Sequence, residues 1–166
     1  MSSPCAVSVA CFDREVWIRV EGRGNFQGCA SLKKFVEAMI GRGYRLFVVD
    51  LAACEHMDST FMGTLTGISQ NLRTLGEGSL RALNVSTRNV DLFDNLGLNH
   101  LFSVEPVGAS TISPAEHGAK LLPLPSDAGP EREVVLAAHE ALVAANPENA
   151  HRFRDVLEYL KGAPPR

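Results

Sequence analysis

The stretch Leu46-Phe47-Val48-Val49-Asp50-Leu51, followed after six residues by Asp58-Ser59-Thr60-Phe61-Met62-Gly63, decides the fold of this chain. Its first half is a run of apolar residues typical of a strand in the middle of a mostly parallel sheet. Its second half opens a segment in which apolar residues recur at spacings of three and four, as in a helix. The pattern predicts a strand, a loop over residues 52–57, and a helix that begins with hydroxyl groups.

The start of that helix allows two interpretations. Asp58 and Ser59 are good N-cap residues, because their side-chain oxygens accept hydrogen bonds from the free N–H groups of the first turn. A helix N-terminus also favours an added phosphate, because the helix dipole and those same N–H groups attract negative charge. The residues alone are compatible with a plain helix cap or with a hydroxyl that receives a phosphoryl group.

The flanking sequence completes an α/β sheet. Two β-rich runs, joined by a turn at Asp13-Arg14 and followed by a loop over residues 22–25, resemble an antiparallel hairpin. The elements expected after that loop are a helix from Ala30 or Ser31 to Gly41, a strand over 45–51, the Asp58 helix to Gly76 or Gly78, a strand over 80–85, a helix over 89–96 and a strand over 101–104. The order β-β-α-β-α-β-α-β predicts a mixed sheet with helices packed on it.

The composition changes after this sheet, which predicts three parts. Residues 1–105 form the main domain, residues 106–130 are a linker rich in proline and glycine, and residues 131–163 are a C-terminal helical hairpin. Pro147 separates the two helical patterns and suits the first turn of the second helix. A hairpin this small cannot bury its apolar faces alone, so we expect it to pack on the main domain or on a second copy of the chain.

Composition excludes several classes of protein. With 166 residues, 45% of them hydrophobic and a net charge of −3, the chain can fill a core but has no basic surface for nucleic acid. No apolar run approaches the roughly 20 residues of a membrane span, and the N-terminus does not resemble a signal peptide. The scattered cysteines, Cys5, Cys11, Cys29 and Cys54, are expected to be buried free thiols in a cytoplasmic protein.

The search for catalytic motifs gives little, so neither an enzyme nor a cofactor or metal is expected. The spacing of the glycines between residues 22 and 28 departs from a dinucleotide fingerprint, and His139-Glu140 lacks the second histidine of a zinc protease. Asp50, with Glu55 and Asp58 nearby, is expected to satisfy loop amides rather than to bind a metal. His56 is expected to be a solvated loop residue, with an acid or base role as the alternative.

The strand, the short loop and the string Asp58-Ser59-Thr60-Phe61-Met62-Gly63 resemble the signature of the STAS domain, the fold of bacterial anti-sigma factor antagonists. The similarity covers about residues 5 to 104 and includes Gly97-Leu98 after the third helix. It implies a phosphoprotein in transcription regulation. The unphosphorylated form would bind an anti-sigma factor that is also a serine kinase and release a sigma factor, and a phosphatase would remove the phosphate. The implied phosphoacceptor is Ser59, with Thr60 as the alternative.

The implied docking surface lies at one end of the sheet, where loops that follow parallel strands come together. The expected contact residues are Asp58, Asn25, Phe26, Met62, Gly63 and Ser86. For Phe26 the alternative is burial beneath its own loop, and Ser86 also lies near a second phosphosite of some STAS relatives. Two further alternatives stay open, a homodimer and a STAS domain that binds a nucleotide, lipid or anion beside the Ser59 helix.

Overall fold

A computed structural model of the chain describes residues 4–108, 120–127 and 129–162. Most of the first half of the predicted linker, residues 109–119, lies outside the described residues, as do residues 1–3, 128 and 163–166. No helix among the described residues is long and apolar enough to cross a membrane.

The described residues form one mixed sheet of seven strands, which confirms the predicted fold class. The strands are β1 (Ala6–Phe12), β2 (Glu15–Gly24), β3 (Leu46–Asp50), β4 (Cys54–Met57), β5 (Ser79–Val85), β6 (Ser103–Pro106) and β7 (Leu122–Pro123). Their order is β6-β5-β3-β2-β1-β7, with β4 paired to the end of β2. β2, β3, β5 and β6 are parallel, whereas β1 is antiparallel to both of its neighbours.

The predicted hairpin turn is present between β1 and β2. Asp13 and Arg14 both have positive φ angles, 52° and 66°. Two consecutive residues with positive φ are typical of the tight turn whose twist matches that of paired antiparallel strands. The turn therefore sets the register in which Phe12 faces Glu15 and Val9 faces Ile18.

The helices are α1 (Cys29–Gly41), α2 (Ser59–Thr74), α3 (Thr87–Asn95), α4 (Arg132–Ala145), α5 (Glu148–Arg152) and α6 (Arg154–Leu160), with a single 3-10 turn at Phe26–Gly28 before α1. The main core lies between the sheet and this helix layer. The parallel register aligns its inward residues in rows across β2, β3 and β5. They are Val16, Ile18, Phe47, Val49, Leu80 and Ala82, all buried.

Four sequence-based expectations about elements were wrong. Residues 22–24 are not a loop, because β2 continues through them and pairs with β4 across an irregularity at Gly22-Arg23. Residues 54–57, expected as loop, are that partner strand. The last strand of the main domain starts at Ser103, two residues later than expected. The second helix of the expected C-terminal hairpin, which starts at Pro147, is interrupted at Phe153.

From Lys120 onward the described chain runs back along the main domain. β7 pairs with the free edge of β1, and the Leu124 N–H donates to the Val7 carbonyl oxygen at 2.8 Å. The next residues lead to α4, which packs along α2 in the helix layer. Helix α4 thus buries its apolar side against the same chain, as expected, with Ala138, Ala141 and Leu142 in the interior.

Helix α1 receives its N-terminal cap from a residue 97 positions away. Gly28, at the N-cap position, offers no side chain, and the Ala30 N–H instead donates to Asp127 Oδ2 at 2.9 Å. The Ser31 hydroxyl donates to Asp127 Oδ1 at 3.2 Å, while the Asp127 N–H donates to the Gln27 carbonyl oxygen at 2.8 Å. Asp127 therefore anchors the linker to the first helix and satisfies an N–H group that α1 would otherwise leave free.

We predict that Asp127→Ala lowers the free energy of unfolding by about 1 kcal/mol, the usual contribution of an N-cap side chain. Urea denaturation followed by circular dichroism measures the change. Asp91→Ala, at an exposed position on α3, is the matched control and should leave the unfolding midpoint in place. Equal midpoints for both variants would contradict the capping role of Asp127.

Candidate functional site at the start of helix α2

Asp58 ties the start of α2 to the sheet. Its carboxylate Oδ1 accepts a hydrogen bond from the Phe61 N–H at 2.9 Å, so Asp58 is the N-cap that the sequence predicts. Its own N–H donates to the Gly24 carbonyl oxygen at 2.9 Å. Desolvation raises the pKa of the Asp58 carboxyl. The N–H groups of Phe61 and Thr60 lower this pKa by hydrogen bonding, but desolvation is the larger effect. Because Asp58 holds the cap, the Ser59 hydroxyl is available for another role.

The segments predicted to meet at one end of the sheet do so. The Gly22 N–H donates to the Ala53 carbonyl oxygen at 3.0 Å, and the buried Asn89 amide donates to the Cys54 carbonyl oxygen at 3.4 Å. Asp50 accepts hydrogen bonds at 3.0 Å from the Ala52 N–H and from the Asn84 side chain, so it satisfies a loop amide as expected. These bonds join the ends of β2, β3 and β5 around the start of α2.

The Ser59 hydroxyl contacts a histidine from the C-terminal helices. Ser59 Oγ lies 2.9 Å from Nε2 of His139, a residue of α4. His139 is only 3% exposed, and its ring meets Phe153 edge to face with centroids 5.0 Å apart. Ser59, which the sequence places at an open helix terminus, is therefore half-buried against α4.

The direction of this hydrogen bond follows from the other ring nitrogen. His139 Nδ1 lies 2.8 Å from the Val135 carbonyl oxygen, which can only accept, so Nδ1 carries a hydrogen. When the ring is neutral, Nε2 is then an acceptor, and the Ser59 hydroxyl donates to it. Phe153 and Val135 together fix the ring, so the proton of Ser59 is directed into the interface between α2 and α4.

The other predicted site residues have varied surroundings. Asn25 caps the 3-10 turn, since its Oδ1 accepts from the Gln27 N–H at 3.0 Å, and Ser86 caps α3 by accepting from the Asn89 N–H at 3.2 Å. Phe26 is half-buried, between the two alternatives considered for it, and Thr60 is half-buried beside Ser59. These residues lie at the expected end of the sheet, and their roles in docking stay predictions.

One predicted contact residue needs correction, and a second is covered by another helix of the same chain. Met62 is 1% exposed and lies in the main core, so it presents no surface to a partner in this conformation, and Met62→Ala would report on stability instead of docking. Gly63 is buried beneath α4, and a Cβ atom added there would lie 2.8 Å from Cβ of Ala138 and overlap its carbonyl group. The close approach that Gly63 permits is used by the chain's own helix.

The cysteines follow the expectation with one exception. All four are free thiols, and Cys5, Cys29 and Cys54 are buried, but Cys11 is exposed. Burial raises the pKa of Cys29 to about 12 and that of Cys54 to about 11. These two thiols therefore stay protonated at neutral pH and behave as small apolar core groups.

Two further features lie near the start of α2. His56 belongs to β4 and is half-buried, and desolvation lowers its pKa, so it is not the solvated loop residue expected.

A cavity of about 230 Å³ lies between α1, α2 and α4 and is lined by Lys33, Gly63, Thr64 and Ala138 among others. Neither Ser59 nor His139 lines this cavity, so it opens beside the hydroxyl–imidazole pair rather than on it.

Solved structures with the same fold exist. No protein-family model matches the sequence, and no curated protein matches it. An anti-sigma factor antagonist from Mycobacterium paratuberculosis superposes with a TM-score of 0.56 at 19% identity, covering 65% of this chain and 92% of that one. The chain has the STAS fold. The antagonist SpoIIAA in its unphosphorylated form gives a TM-score of 0.55 at 18% identity and covers 68% and 94%.

A putative anti-sigma factor antagonist from Thermotoga maritima gives a TM-score of 0.53 at 18% identity, covering 66% of this chain and 91% of its own. Each of these STAS structures is covered almost entirely, whereas about a third of this chain has no equivalent in the superposition. The chain therefore contains a complete STAS fold and additional residues.

A double-mutant cycle on Ser59 and His139 should detect their hydrogen bond. Ser59→Ala leaves a buried imidazole nitrogen without its partner, and we predict a cost of about 1–3 kcal/mol. His139→Phe keeps a ring against Phe153 but removes the acceptor. The double variant should be more stable than the sum of the single losses predicts, by about 0.5–1.5 kcal/mol. Urea denaturation measures all four proteins.

The same cycle with Thr60→Ala in place of Ser59→Ala is the control and should show additive effects. Additivity for the Ser59 cycle as well would mean that the hydroxyl and the imidazole do not interact in solution.

Proposed function

We propose that this chain is a phosphorylation-switched binding module with the role of an anti-sigma factor antagonist. In its unphosphorylated form it binds an anti-sigma factor that is also a serine kinase, and a sigma factor is released. Phosphorylation of Ser59 breaks the complex, and a phosphatase restores the binding form. The proposal rests on the STAS fold and on the resemblance of the Asp58 to Gly63 string to the signature of that family.

One observation supports this function most directly. Ser59 is the first residue of α2, directly after an N-cap that is already occupied by Asp58. Its hydroxyl is therefore not consumed in capping the helix, although it lies at the helix terminus where N–H groups and the dipole favour a phosphate. A phosphate added to a serine in this position brings negative charge without loss of the helix.

The chemistry of the switch is a phosphoryl transfer from ATP. Ser59 Oγ forms a bond to the γ-phosphorus, the bond from that phosphorus to the oxygen of ADP breaks, and the hydroxyl proton leaves to a base on the kinase. The product carries about −1.5 to −2 additional charges at neutral pH. Next to Asp58, in an interface, this charge is repelled and must be desolvated, which can lower affinity by orders of magnitude.

A second candidate is a STAS domain that binds a small ligand, and the cavity between α1, α2 and α4 favours it. The cavity reaches Gly63 and Thr64, in the second turn of the helix that begins at Ser59. The lining combines charged residues, Lys33 and Glu37, with apolar groups such as Val36 and Ile68, which suits a small amphipathic molecule. Native mass spectrometry of the purified chain would show such a ligand as a retained mass.

The switch is tested with ATP and the soluble protein fraction of the source cells. We predict that the intact mass of the chain rises by one phosphoryl group and that peptide fragmentation places the group on Ser59. Ser59→Ala should gain no mass, and Thr60→Ala should gain as much as the parent. Two results would overturn the assignment of Ser59 as phosphoacceptor. One is phosphate on the Ser59→Ala variant; the other is a parent chain that gains no phosphate from either the cell fraction or a purified anti-sigma kinase.

Binding is tested by isothermal titration with the purified anti-sigma kinase that phosphorylates the chain. Ser59→Ala should bind the kinase whether or not ATP is present. Ser59→Asp should bind at least about tenfold more weakly, because its carboxylate is repelled and desolvated in the interface. A tenfold loss of affinity corresponds to about 1.4 kcal/mol. Equal affinities for both variants would contradict a switch at this residue.

A further inference from the structure

We propose that the C-terminal helices, α4 to α6, act as an internal competitor for the Ser59 surface. In the docked position α4 covers the face of α2 that a partner would use, and it holds the hydroxyl that a kinase must reach. Docking of these helices and occupation of Ser59 by a phosphate or a partner are mutually exclusive. The inference deepens the proposed function by adding a regulator of the same site, and it rests on that function only for the identity of the partner.

The first support is the contact at Gly63. The backbone of Ala138 lies so close to Gly63 that any side chain at residue 63 would force the two helices apart. One turn further along α2, a Cβ atom at Gly67 would lie 3.8 Å from Cβ of Ala141, an ordinary contact. The surface of α2 at Gly63 therefore fits a helix with a small residue at the crossing point, and α4 supplies one.

The second support is the hydrogen bond of Ser59. At 2.9 Å from His139 Nε2, its hydroxyl oxygen leaves no space for a phosphoryl group between the two residues. A phosphorylated Ser59 also has no hydroxyl hydrogen to donate, so Nε2 would lose the donor it accepts from. Rotation of the phosphate away from α4 leaves a nearly fully buried nitrogen unpartnered, and the added charge lies beside Asp58. Both outcomes favour release of α4.

The third support is that the docked position is specific. The Gln70 amide of α2 donates to the Ala141 carbonyl oxygen at 3.0 Å. Buried Asn149 donates to the carbonyl oxygens of Leu96 and Leu142, at 3.0 and 2.8 Å, and so joins the end of α3 to α4 and α5. These bonds define one specific docked arrangement, in which α4 covers part of Ser59.

A partner that replaces α4 must offer the same features. It should present a helix with alanine or glycine opposite Gly63, apolar residues on either side, and an acceptor within reach of the Ser59 hydroxyl. The docked helices thus weaken partner binding and slow the phosphorylation of Ser59.

Hydrogen–deuterium exchange read by mass spectrometry tests the exclusion without any kinase. The full chain is prepared with phosphoserine at position 59, installed during translation by codon reassignment, and compared with the parent. We expect amides of residues 132–160 to exchange roughly ten- to a hundredfold faster in the phosphorylated chain, as local opening becomes easier. Strands β3 and β5 should exchange at the parent rate. Unchanged or slower exchange in residues 132–160 would overturn the proposal.

A matched pair of variants on α2 tests the docked position itself. Gly63→Ala should release α4 and speed exchange in residues 132–160, because the added methyl group meets the backbone of Ala138. Gly67→Ala makes the same change one turn away and should leave exchange at the parent rate. Equal behaviour of the two variants would show that α4 is not seated at Gly63.

The exchange experiment with phosphoserine and the phosphorylation experiment with ATP test different proposals, so one proposal can be wrong while the other stands. If Ser59 is never phosphorylated by the source cells but phosphoserine at position 59 still releases residues 132–160, the proposed function fails and the internal competition stands. If phosphorylation of Ser59 occurs and residues 132–160 stay protected, the function stands and the competition is wrong.

Discussion

The close approach of α4 to α2 at Gly63 is the contact on which the arrangement of the helix layer depends. It makes α2 a helix that is covered on two sides, by the sheet and by α4. Nine of its sixteen residues are buried, including Thr64, Thr66 and Ser69. Such a helix can bury hydroxyl groups only where acceptors are at hand, because an unpaired buried polar group is costly.

The buried polar residues of α2 meet this requirement within the main domain. Thr64 and Thr66 donate to carbonyl oxygens four residues earlier in the same helix, at 2.9 and 2.8 Å, and Ser69 donates to the Leu101 carbonyl oxygen at 2.6 Å. Ser59 differs, since its acceptor belongs to a helix that the STAS fold does not require. The residue expected to change its chemical state is thus the one whose hydrogen bond can be surrendered without damage to the main domain.

Much of the main domain could be predicted from the sequence because its signals are local. The apolar run through Val48, the Asp58 cap and the turn at Asp13 each depend on neighbouring residues. The elements that were missed depend on distant ones. β4 is a strand only because β2 continues far enough to pair with it, and β7 is a strand only because β1 has a free edge. Nothing in the linker sequence around Asp127 indicates that it caps α1.

The candidate site was only partly predictable for the same reason. Ser59 and Asp58 could be predicted from a motif. Met62 was wrongly predicted to be exposed, because the apolar periodicity of α2 does not show that both sides of the helix are covered. His139 carried one signal. It lies on the apolar side of α4 with Val135, Ala138 and Leu142, and a histidine in such a stripe requires a buried partner. A single sequence cannot show that the partner is a serine 80 positions earlier.

The anchor at Asp127 sets how far the C-terminal helices can travel. Only four residues separate Asp127 from Arg132, where α4 begins. While that anchor holds, released helices remain tethered within a short reach of α2, at an effective concentration on the order of millimolar. Under the proposed competition, an external protein must therefore displace a nearby segment of the same chain, and the length of the tether, together with the contacts at Gly63 and Ser59, determines how much affinity it needs.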